Sequence, residues 1–283
     1  MTAFIDLHVH PPVPAVIEGI FAPYIPSLER TFRRQFPVMT AEQIADYYRA
    51  LDGRAVLLGW DAETATGLAP FGNRAVAEIV HAHPDVFFGF GSVDPHKGAA
   101  AVLGVREAAK AGLIGLKFHP SAQRFDPADE SVFPIYEEAE AHGLTLLFHT
   151  GVTALGAGMP GGAGIRHRFA HPVHLDDVAS YFPALKIVMA HPATPWQSEA
   201  IAFAVHKPNL YLELSGWSPR HFDDELLSAI RGPLRDRVLF GTDFPFITPD
   251  RWLKAWRAHD MDADVSQAVL VGNARRLLGL QDP

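Results

Sequence analysis

The chain alternates between short apolar runs and amphipathic segments, and this alternation limits the folds that it can adopt. Eight runs are rich in β-branched and aromatic residues, over 4–9, 54–60, 86–93, 113–118, 144–149, 185–190, 210–214 and 237–241. Helical patterns separate them, over 40–51, 74–83, 99–111, 129–142, 195–206 and 223–230. Strands that alternate with helices pair in parallel through right-handed crossovers, and eight of them close a TIM barrel. We therefore predict a (β/α)8 barrel, with a doubly wound open sheet as the competing architecture.

The 283 residues suffice for one barrel with an insertion, so we predict a single domain over 1–283. Two segments, 11–39 after strand 1 and 151–172 after strand 5, are longer than ordinary connections. Both follow the carboxyl end of a strand, where barrel active sites are built. We predict that 11–39 is a lid-like insertion and that the second segment is a long loop beside it. Residues 264–283 predict C-terminal helices, broken near Gly272.

Composition excludes several classes of protein. The absence of cysteine excludes disulfides and thiolate metal sites. A net charge of −8 without a basic stripe argues against nucleic acid as a partner. Asp6 and His8 interrupt the first apolar run, which is unlike a signal peptide, and no apolar run reaches the length of a membrane span. We expect a cytoplasmic protein without membrane contact.

Two histidines share one face of the first strand. Side chains alternate along a strand, so His8 and His10 point to one side, while Leu7 and Val9 point to the other. Two imidazoles on one face can converge on a cation. By itself this spacing is weak support for a metal site, because most His-x-His pairs are accidental.

Three other apolar strands end on a residue of the ligand or proton-transfer type. Strand 5 ends on His149, strand 6 is followed by His191, and strand 8 is followed by Asp243. Buried strands rarely end on such groups unless these are paired or ligated. Three imidazoles and a carboxylate, from His8, His10, His149 and Asp243, suit one divalent ion, with Zn²⁺ ahead of Mn²⁺ or Fe²⁺. We predict that His191 and Asp243 carry out the proton transfers.

These residues and motifs resemble the amidohydrolase superfamily, within it the amidohydrolase-related branch typified by aminocarboxymuconate-semialdehyde decarboxylase. The resemblance rests on the strand-end residues above and on the stretches 5–11, 89–95, 115–120, 175–182, 209–216 and 239–245. It implies the same four metal ligands, His191 as the catalytic histidine, an insertion after the first strand and a possible homodimer.

Strand 4 departs from the decarboxylase pattern. Lys117 and His119 share a face, which we take to be the inner one. In other amidohydrolase branches a lysine at this strand becomes carboxylated and bridges two metal ions. The alternatives are that Lys117 binds a substrate carboxylate or pairs with Asp243, and we favour an anion-binding lysine beside one metal ion. Arg166, in the loop after strand 5, is a candidate clamp for the same carboxylate.

We expect an enzyme that acts on a small anionic, carboxylated substrate. Our main prediction is a metal-dependent hydrolase of a lactone, ester or amide, because Lys117 at the reacting centre would stabilise charge on a carbonyl. The alternative is a non-oxidative, metal-dependent decarboxylase of an aromatic or muconate-type acid. A second alternative is a barrel that binds its ligand without catalysis.

Overall fold

The computed structural model describes residues 4–280 and places eight parallel strands at its centre, each paired with the next along the chain. The strands are β1 Phe4–Val9, β2 Gly53–Leu58, β3 Phe87–Gly91, β4 Gly115–Phe118, β5 Thr145–His149, β6 Ile187–Ala190, β7 Leu210–Glu213 and β8 Val238–Leu239. Each lies within or next to a predicted apolar run. The last strand is shorter than predicted.

Backbone hydrogen bonds between the first and the last strand segments close the sheet. Leu7 N donates to Phe240 O at 3.0 Å, and Asp243 N donates to His8 O at 2.9 Å. The chain after β8 therefore continues alongside β1 although it no longer follows a regular strand. This closure confirms the predicted TIM barrel.

A buried carboxylate strengthens this closure. Asp6, which is fully buried in β1, accepts hydrogen bonds from Thr242 N at 2.9 Å, Thr242 Oγ1 at 2.5 Å and Tyr48 Oη at 2.8 Å. Burial raises the pKa of Asp6 to about 6, although these hydrogen bonds oppose the rise. Asp6 thus links β1 to the segment after β8 and to the helix before β2, and it holds the neighbouring His8 in place.

Helices surround the barrel in the predicted alternation. They are α1 Ile25–Phe32, α2 Ala41–Ala50, α3 Glu63–Thr66, α4 Asn73–Ala82, α5 Ala99–Lys110, α6 Pro120–Gln123, α7 Phe133–Ala141, α8 Val173–Tyr181, α9 Gln197–His206, α10 Asp224–Arg231, α11 Pro249–Arg257, α12 Ala263–Gln267 and α13 Asn273–Leu278. Six of them, α2, α4, α5, α7, α9 and α10, coincide with the predicted amphipathic segments. The start of α2 is set by a capping box, in which Thr40 Oγ1 accepts from Gln43 N and the Gln43 side chain accepts from Thr40 N.

The insertion after β1 is partly helical. A π-helical turn, Ala15–Ile20, leads into α1, and Phe21, Leu28 and Phe32 of this segment line a cavity at the carboxyl end of the barrel. The long connection after β5 contributes residues such as Val152 and Leu155 to the same cavity. Both segments therefore form walls above the strand ends, while the lid role predicted for the insertion stays a prediction.

The C-terminal segment corrects one expectation. Helix α12 passes through a π-helical turn, Ala268–Gly272, directly into α13, and Gly272 has a right-handed helical backbone with φ −61°. The two C-terminal helices are thus present, but a π-helical turn and not a break joins them near Gly272. Val269 and Leu270 are buried, and Val269 O accepts from Phe240 N at 3.0 Å. Packing against the barrel thus outweighs the weak helix propensity of glycine.

The buried apolar residues form one core cluster that extends from the strands to the inner faces of the helices. Trp252 and Tyr136 are among its largest fully buried side chains. Between residues 4 and 280, no helix combines the length and the apolar character that crossing a membrane requires.

Candidate metal and active site

A cavity of about 1020 Å³ opens at the carboxyl ends of the strands. Its lining contains nearly all of the residues predicted from the strand ends, namely His8, His10, Lys117, His119, His149, His191 and Asp243. In a TIM barrel this end of the strands carries the active site. The cavity is therefore the candidate active site.

His8, His10 and Asp243 come together at the inner end of this cavity. The Nε2 atoms of His8 and His10 each lie 3.5 Å from Asp243 Oδ1. Both histidines are buried at the end of β1, and Asp243 has a left-handed backbone with φ 64°. Aspartate adopts this conformation more readily than most residues, and here it directs the carboxylate towards β1.

Glu213, at the end of β7, orients His8. The Nδ1 atom of His8 donates to Glu213 Oε2 at 3.0 Å, which leaves the lone pair of Nε2 facing Asp243. Ser215 Oγ lies 2.8 Å from the same carboxylate oxygen. Gly241 makes room for this pair, because a Cβ atom there would overlap Glu213 Oε1.

His191 and His149 form a second chain of hydrogen bonds. His191 Nδ1 donates to the carbonyl oxygen of Ser215 at 3.0 Å, and His191 Nε2 lies 3.0 Å from His149 Nδ1. Because a neutral His191 that donates from Nδ1 has its lone pair on Nε2, this Nε2 accepts a hydrogen bond from His149 Nδ1. The lone pair of His149 is then on its own Nε2. This Nε2 atom is buried and has no hydrogen-bond partner in the described part of the chain.

Lys117 and His119 face the same cavity from the end of β4. Lys117 is almost fully buried, and its Nζ donates to His8 Nε2 at 3.2 Å. The ring of His119 stacks on that of His149 with 3.8 Å between the centroids and 7° between the planes. Both side chains point inward, as their shared strand face predicted.

Burial governs the protonation of this site. It lowers the pKa of His8, His10, His119 and His149 well below the usual histidine value, and nearby Lys117 adds to the effect. The imidazoles are therefore neutral, as metal ligands must be.

The carboxylates and the lysine of the site balance each other. Burial raises the pKa values of Asp243 and Glu213, and the charge of Lys117 opposes both shifts. Burial lowers the pKa of Lys117, while the charges of Asp243 and Glu213 raise it. The charge of Lys117 and the charges of the two carboxylates thus favour one another, while burial opposes all three.

The residues present fit a divalent metal ion. Within residues 4–280, ligand atoms of His8, His10 and Asp243 lie within 4.8 Å of one another. The Nε2 atom of His149 is buried without a hydrogen-bond partner, and folded proteins seldom leave such a nitrogen unsatisfied. Its lone pair is a further possible metal ligand. Imidazole nitrogens with a carboxylate oxygen suit Zn²⁺, Mn²⁺ or Fe²⁺.

A second group that meets the same distance criterion, formed by His8, His191 and Glu213, is better explained as a hydrogen-bonded network. His8 Nδ1 bonds directly to Glu213 Oε2. Ser215 Oγ connects His191 to this pair and lies 2.9 Å from His191 Nδ1. These atoms are already satisfied, unlike Nε2 of His149.

Sequence reasoning missed Glu213 and Ser215. The signal was present in β7, where Glu213 is an acidic residue among Leu210, Leu212 and Leu214, all fully buried. A buried acidic side chain in such a strand is costly unless it is paired. The same argument was applied to the histidine that ends β5 and could have been applied to Glu213.

One predicted site residue lies outside the cavity. Arg166 is exposed and is not among the residues that line the cavity, and its role as a carboxylate clamp stays a prediction. Its backbone N–H donates to Ser121 O at 3.2 Å, which joins the loop after β5 to α6.

Known proteins with similar sequences or structures include two decarboxylases. A 2-amino-3-carboxymuconate-6-semialdehyde decarboxylase of Dictyostelium discoideum is 24% identical over 261 residues, covering 81% of this chain and 71% of the relative. A dihydroxybenzoic acid decarboxylase of Polaromonas sp. JS666, with bound manganese and the inhibitor 2-nitroresorcinol, has a TM-score of 0.71 at 19% identity, covering 100% of this chain and 98% of that one. An uncharacterised TIM-barrel protein of Bordetella bronchiseptica has a TM-score of 0.81 at 25% identity, covering 98% of both chains.

These similarities overturn the main functional prediction. The relative found by sequence is a decarboxylase, and so is the manganese-containing structural neighbour. The prediction of a hydrolase is therefore wrong, and the decarboxylase alternative agrees better with these proteins. The argument for hydrolysis rested on Lys117 alone, as a cation that would stabilise charge on a carbonyl.

The family itself follows from the length of the match. The model of the amidohydrolase family matches residues 5–280, which is nearly the whole chain. The residues on which the resemblance was based, from β1 to the segment after β8, all lie within this match. This chain belongs to the amidohydrolase family.

Proposed function

We propose that this protein is a metal-dependent, non-oxidative decarboxylase of an aromatic or muconate-type carboxylic acid. The observation that carries the proposal is the meeting of His8, His10 and Asp243 with His149 and His191 at the inner end of one cavity. The reactions named for the two decarboxylases described above support the choice of decarboxylation.

In this proposal His8, His10, His149 and Asp243 hold one divalent ion. Zn²⁺ stays the prediction from the ligand types, and Mn²⁺ is the ion in the Polaromonas protein. When bound, the ion supplies positive charge that polarises the oxygen atoms of the substrate. Glu213 keeps Nε2 of His8 available as a ligand atom, since it accepts the proton on Nδ1.

His191 serves as the proton donor to the substrate. Its ring lies 5.0 Å from that of His8, between centroids, and Ser215 holds its Nδ1 side. Burial lowers the pKa of His191 to about 3, so the ring is neutral until it takes up a proton. That proton then passes from His191 to the carbon that bears the carboxylate. The bond between this carbon and the carboxylate then breaks, its electron pair stays with the carbon, and CO₂ leaves. Solvent returns a proton to His191.

Lys117 and His119 act as the polar wall beside the substrate. Lys117 contacts His8 directly and is buried, so a substrate oxygen that reaches the metal ligands also reaches its ammonium group. We place it as a binding residue, because a cation on the departing carboxylate stabilises the ground state more than the transition state.

The experiment that tests the proposal follows the fate of carbon and hydrogen. Protein loaded with Mn²⁺ or Zn²⁺ is incubated in D₂O with hydroxybenzoates and carboxymuconate-type acids. We expect release of CO₂ and one deuterium on the carbon that carried the carboxylate. Incubation in ¹⁸O-labelled water is the control, and label in a ring-opened or cleaved acid without CO₂ would overturn the proposal. A homodimer and a cytoplasmic location stay predictions.

A further inference from the structure

The cavity is larger than a single-ring acid requires, and its lining changes character along its length. Its volume of about 1020 Å³ lies at the upper end of the range for small-molecule pockets. The metal-binding residues occupy one end. A second group of lining residues is apolar and begins next to His10, which contacts the rings of Phe21 and Phe246. We call this group the middle zone, and it consists of Phe21, Leu28, Phe32, Trp217, Phe246 and Ile247.

Four cationic side chains line the remaining part of the cavity. We call them the rim cations, and they are Arg33, Arg220, Arg251 and Lys254. All four are exposed, whereas the metal ligands are buried or nearly so. They therefore mark the solvent side of the cavity.

The rim cations come from three separate parts of the fold. Arg33 ends α1 in the insertion, with a left-handed backbone at φ 52°. Arg220 lies in the 3-10 turn Pro219–His221, after β7. Arg251 and Lys254 lie three residues apart on α11, after β8, and thus on one face of that helix.

The cavity lining itself offers these cations almost no negative charge. Within residues 4–280, none of the rim cations forms an ion pair, and Asp243 at the metal end is the single acidic residue of the lining. Yet acidic residues outnumber basic ones in the chain, 32 to 24. In a protein of this composition, a surface patch with no selected charge would contain acidic residues as well as basic ones.

The charges at this side of the molecule also repel one another. Burial lowers the pKa of Arg34, next to Arg33, and the charge of Arg251 lowers it further, while Tyr47 and Asp250 raise it. A ligand that brought negative charge to the rim would relieve this repulsion.

From these observations we infer that the substrate is elongated and carries a second anionic group, a carboxylate or a phosphate, which the rim cations bind at the far end of the cavity from the metal ligands. The inference rests on the proposed function for the position of the first carboxylate. The apolar middle zone then receives the hydrophobic body of the substrate. Arginine suits this task, because its planar group can bind carboxylate or phosphate through two hydrogen bonds.

Binding of inert probes to the metal-loaded protein tests the inference by calorimetry. Each dianion is compared with the monoanion of the same body: benzene-1,4-dicarboxylate with benzoate, and biphenyl-4,4′-dicarboxylate with biphenyl-4-carboxylate. A biphenyl that carries one carboxylate and one phosphonate distinguishes phosphate from carboxylate recognition. We expect at least one dianion to bind about tenfold or more tightly than its monoanion, with a preference that falls as salt is added.

Substitution of the rim locates the second anion. The double variant R251Q/K254Q should bring the ratio of dianion to monoanion affinity close to one, and R220Q alone should lower it in part. The matched control is R257Q, an exposed residue of the same helix that does not line the cavity, and it should leave the ratio unchanged. Binding of benzoate should be the same in all four proteins.

Two results would overturn the inference. One is the absence of tighter binding for every dianion, short and long, in the unsubstituted protein. The other is a preference for dianions that survives in both R251Q/K254Q and R220Q, with thermal melting showing that the variants are folded. This test measures binding without turnover, so its result does not depend on whether any acid is decarboxylated. Decarboxylation of an acid with a single carboxylate would support the proposed function but would not decide whether the rim binds a second anion.

Discussion

His8, in β1, donates its Nδ1 proton to Glu213 at the end of β7, with 3.0 Å between nitrogen and oxygen. The two residues are 205 positions apart in the chain, and both are buried. This single contact decides which nitrogen of His8 faces Asp243.

Replacing Glu213 with Gln should weaken metal binding about 10- to 100-fold, as is usual when the partner of a ligating histidine is lost. The amide has no negative charge to hold the proton of His8 on Nδ1. Titration of the metal-free protein with Mn²⁺ or Zn²⁺ measures the change. Glu199, which is exposed on α9, is the control, and E199Q should bind metal normally. Unchanged affinity in E213Q would contradict the orienting role.

The purified protein should contain about one divalent ion per chain, since His8, His10, His149 and Asp243 form one ligand set. Elemental analysis measures the content. Removal of the ion with a chelator should abolish turnover and lower the melting temperature, because an ion present at 100 times its Kd adds about 2.7 kcal/mol to the free energy of unfolding. Two ions per chain would instead favour a carboxylated Lys117.

Replacing His191 with Asn should lower kcat about 10²- to 10⁴-fold while the metal content stays nearly unchanged, because the proton donor is lost and the ligands remain. Replacing His8 with Ala should remove the metal itself. Steady-state kinetics and elemental analysis on the same preparations separate the two effects. H206N, at an exposed position of α9, should behave as the unsubstituted protein. Loss of metal in the His191 variant alone would reverse the assignment of roles.

Replacing Tyr48 with Phe should lower the free energy of unfolding by about 1.5–3 kcal/mol, since its hydroxyl donates to the buried carboxylate of Asp6. The adjacent Tyr47 gives a matched control, because its hydroxyl bonds at 2.9 Å to Asp250 at the surface. Y47F should cost less than about 1 kcal/mol. Denaturant unfolding of both metal-loaded variants provides the comparison. Equal losses would show that Asp6 does not stabilise the barrel closure more than a surface contact does.

Local patterns in the sequence predicted the architecture and much of the candidate site. The apolar runs predicted all eight strands, and strand periodicity placed His8 with His10 and Lys117 with His119 on inward faces. These predictions agree with the structure because a period of two and the common end of parallel strands are properties of each strand alone. The histidines at the ends of β1, β5 and β6 could therefore be predicted to share one end of the barrel without knowing how the strands pack.

Tertiary structure decided what depends on contacts between distant segments. It joined Glu213 to His8, set two carboxylates around Lys117, left Arg166 outside the cavity and brought Arg33, Arg220 and Arg251 to one rim. The charge state and role of a buried side chain follow from the groups that surround it in space, and these come from other strands. The sequence therefore determined which residues stand at the strand ends, and the closed barrel decided which of them meet.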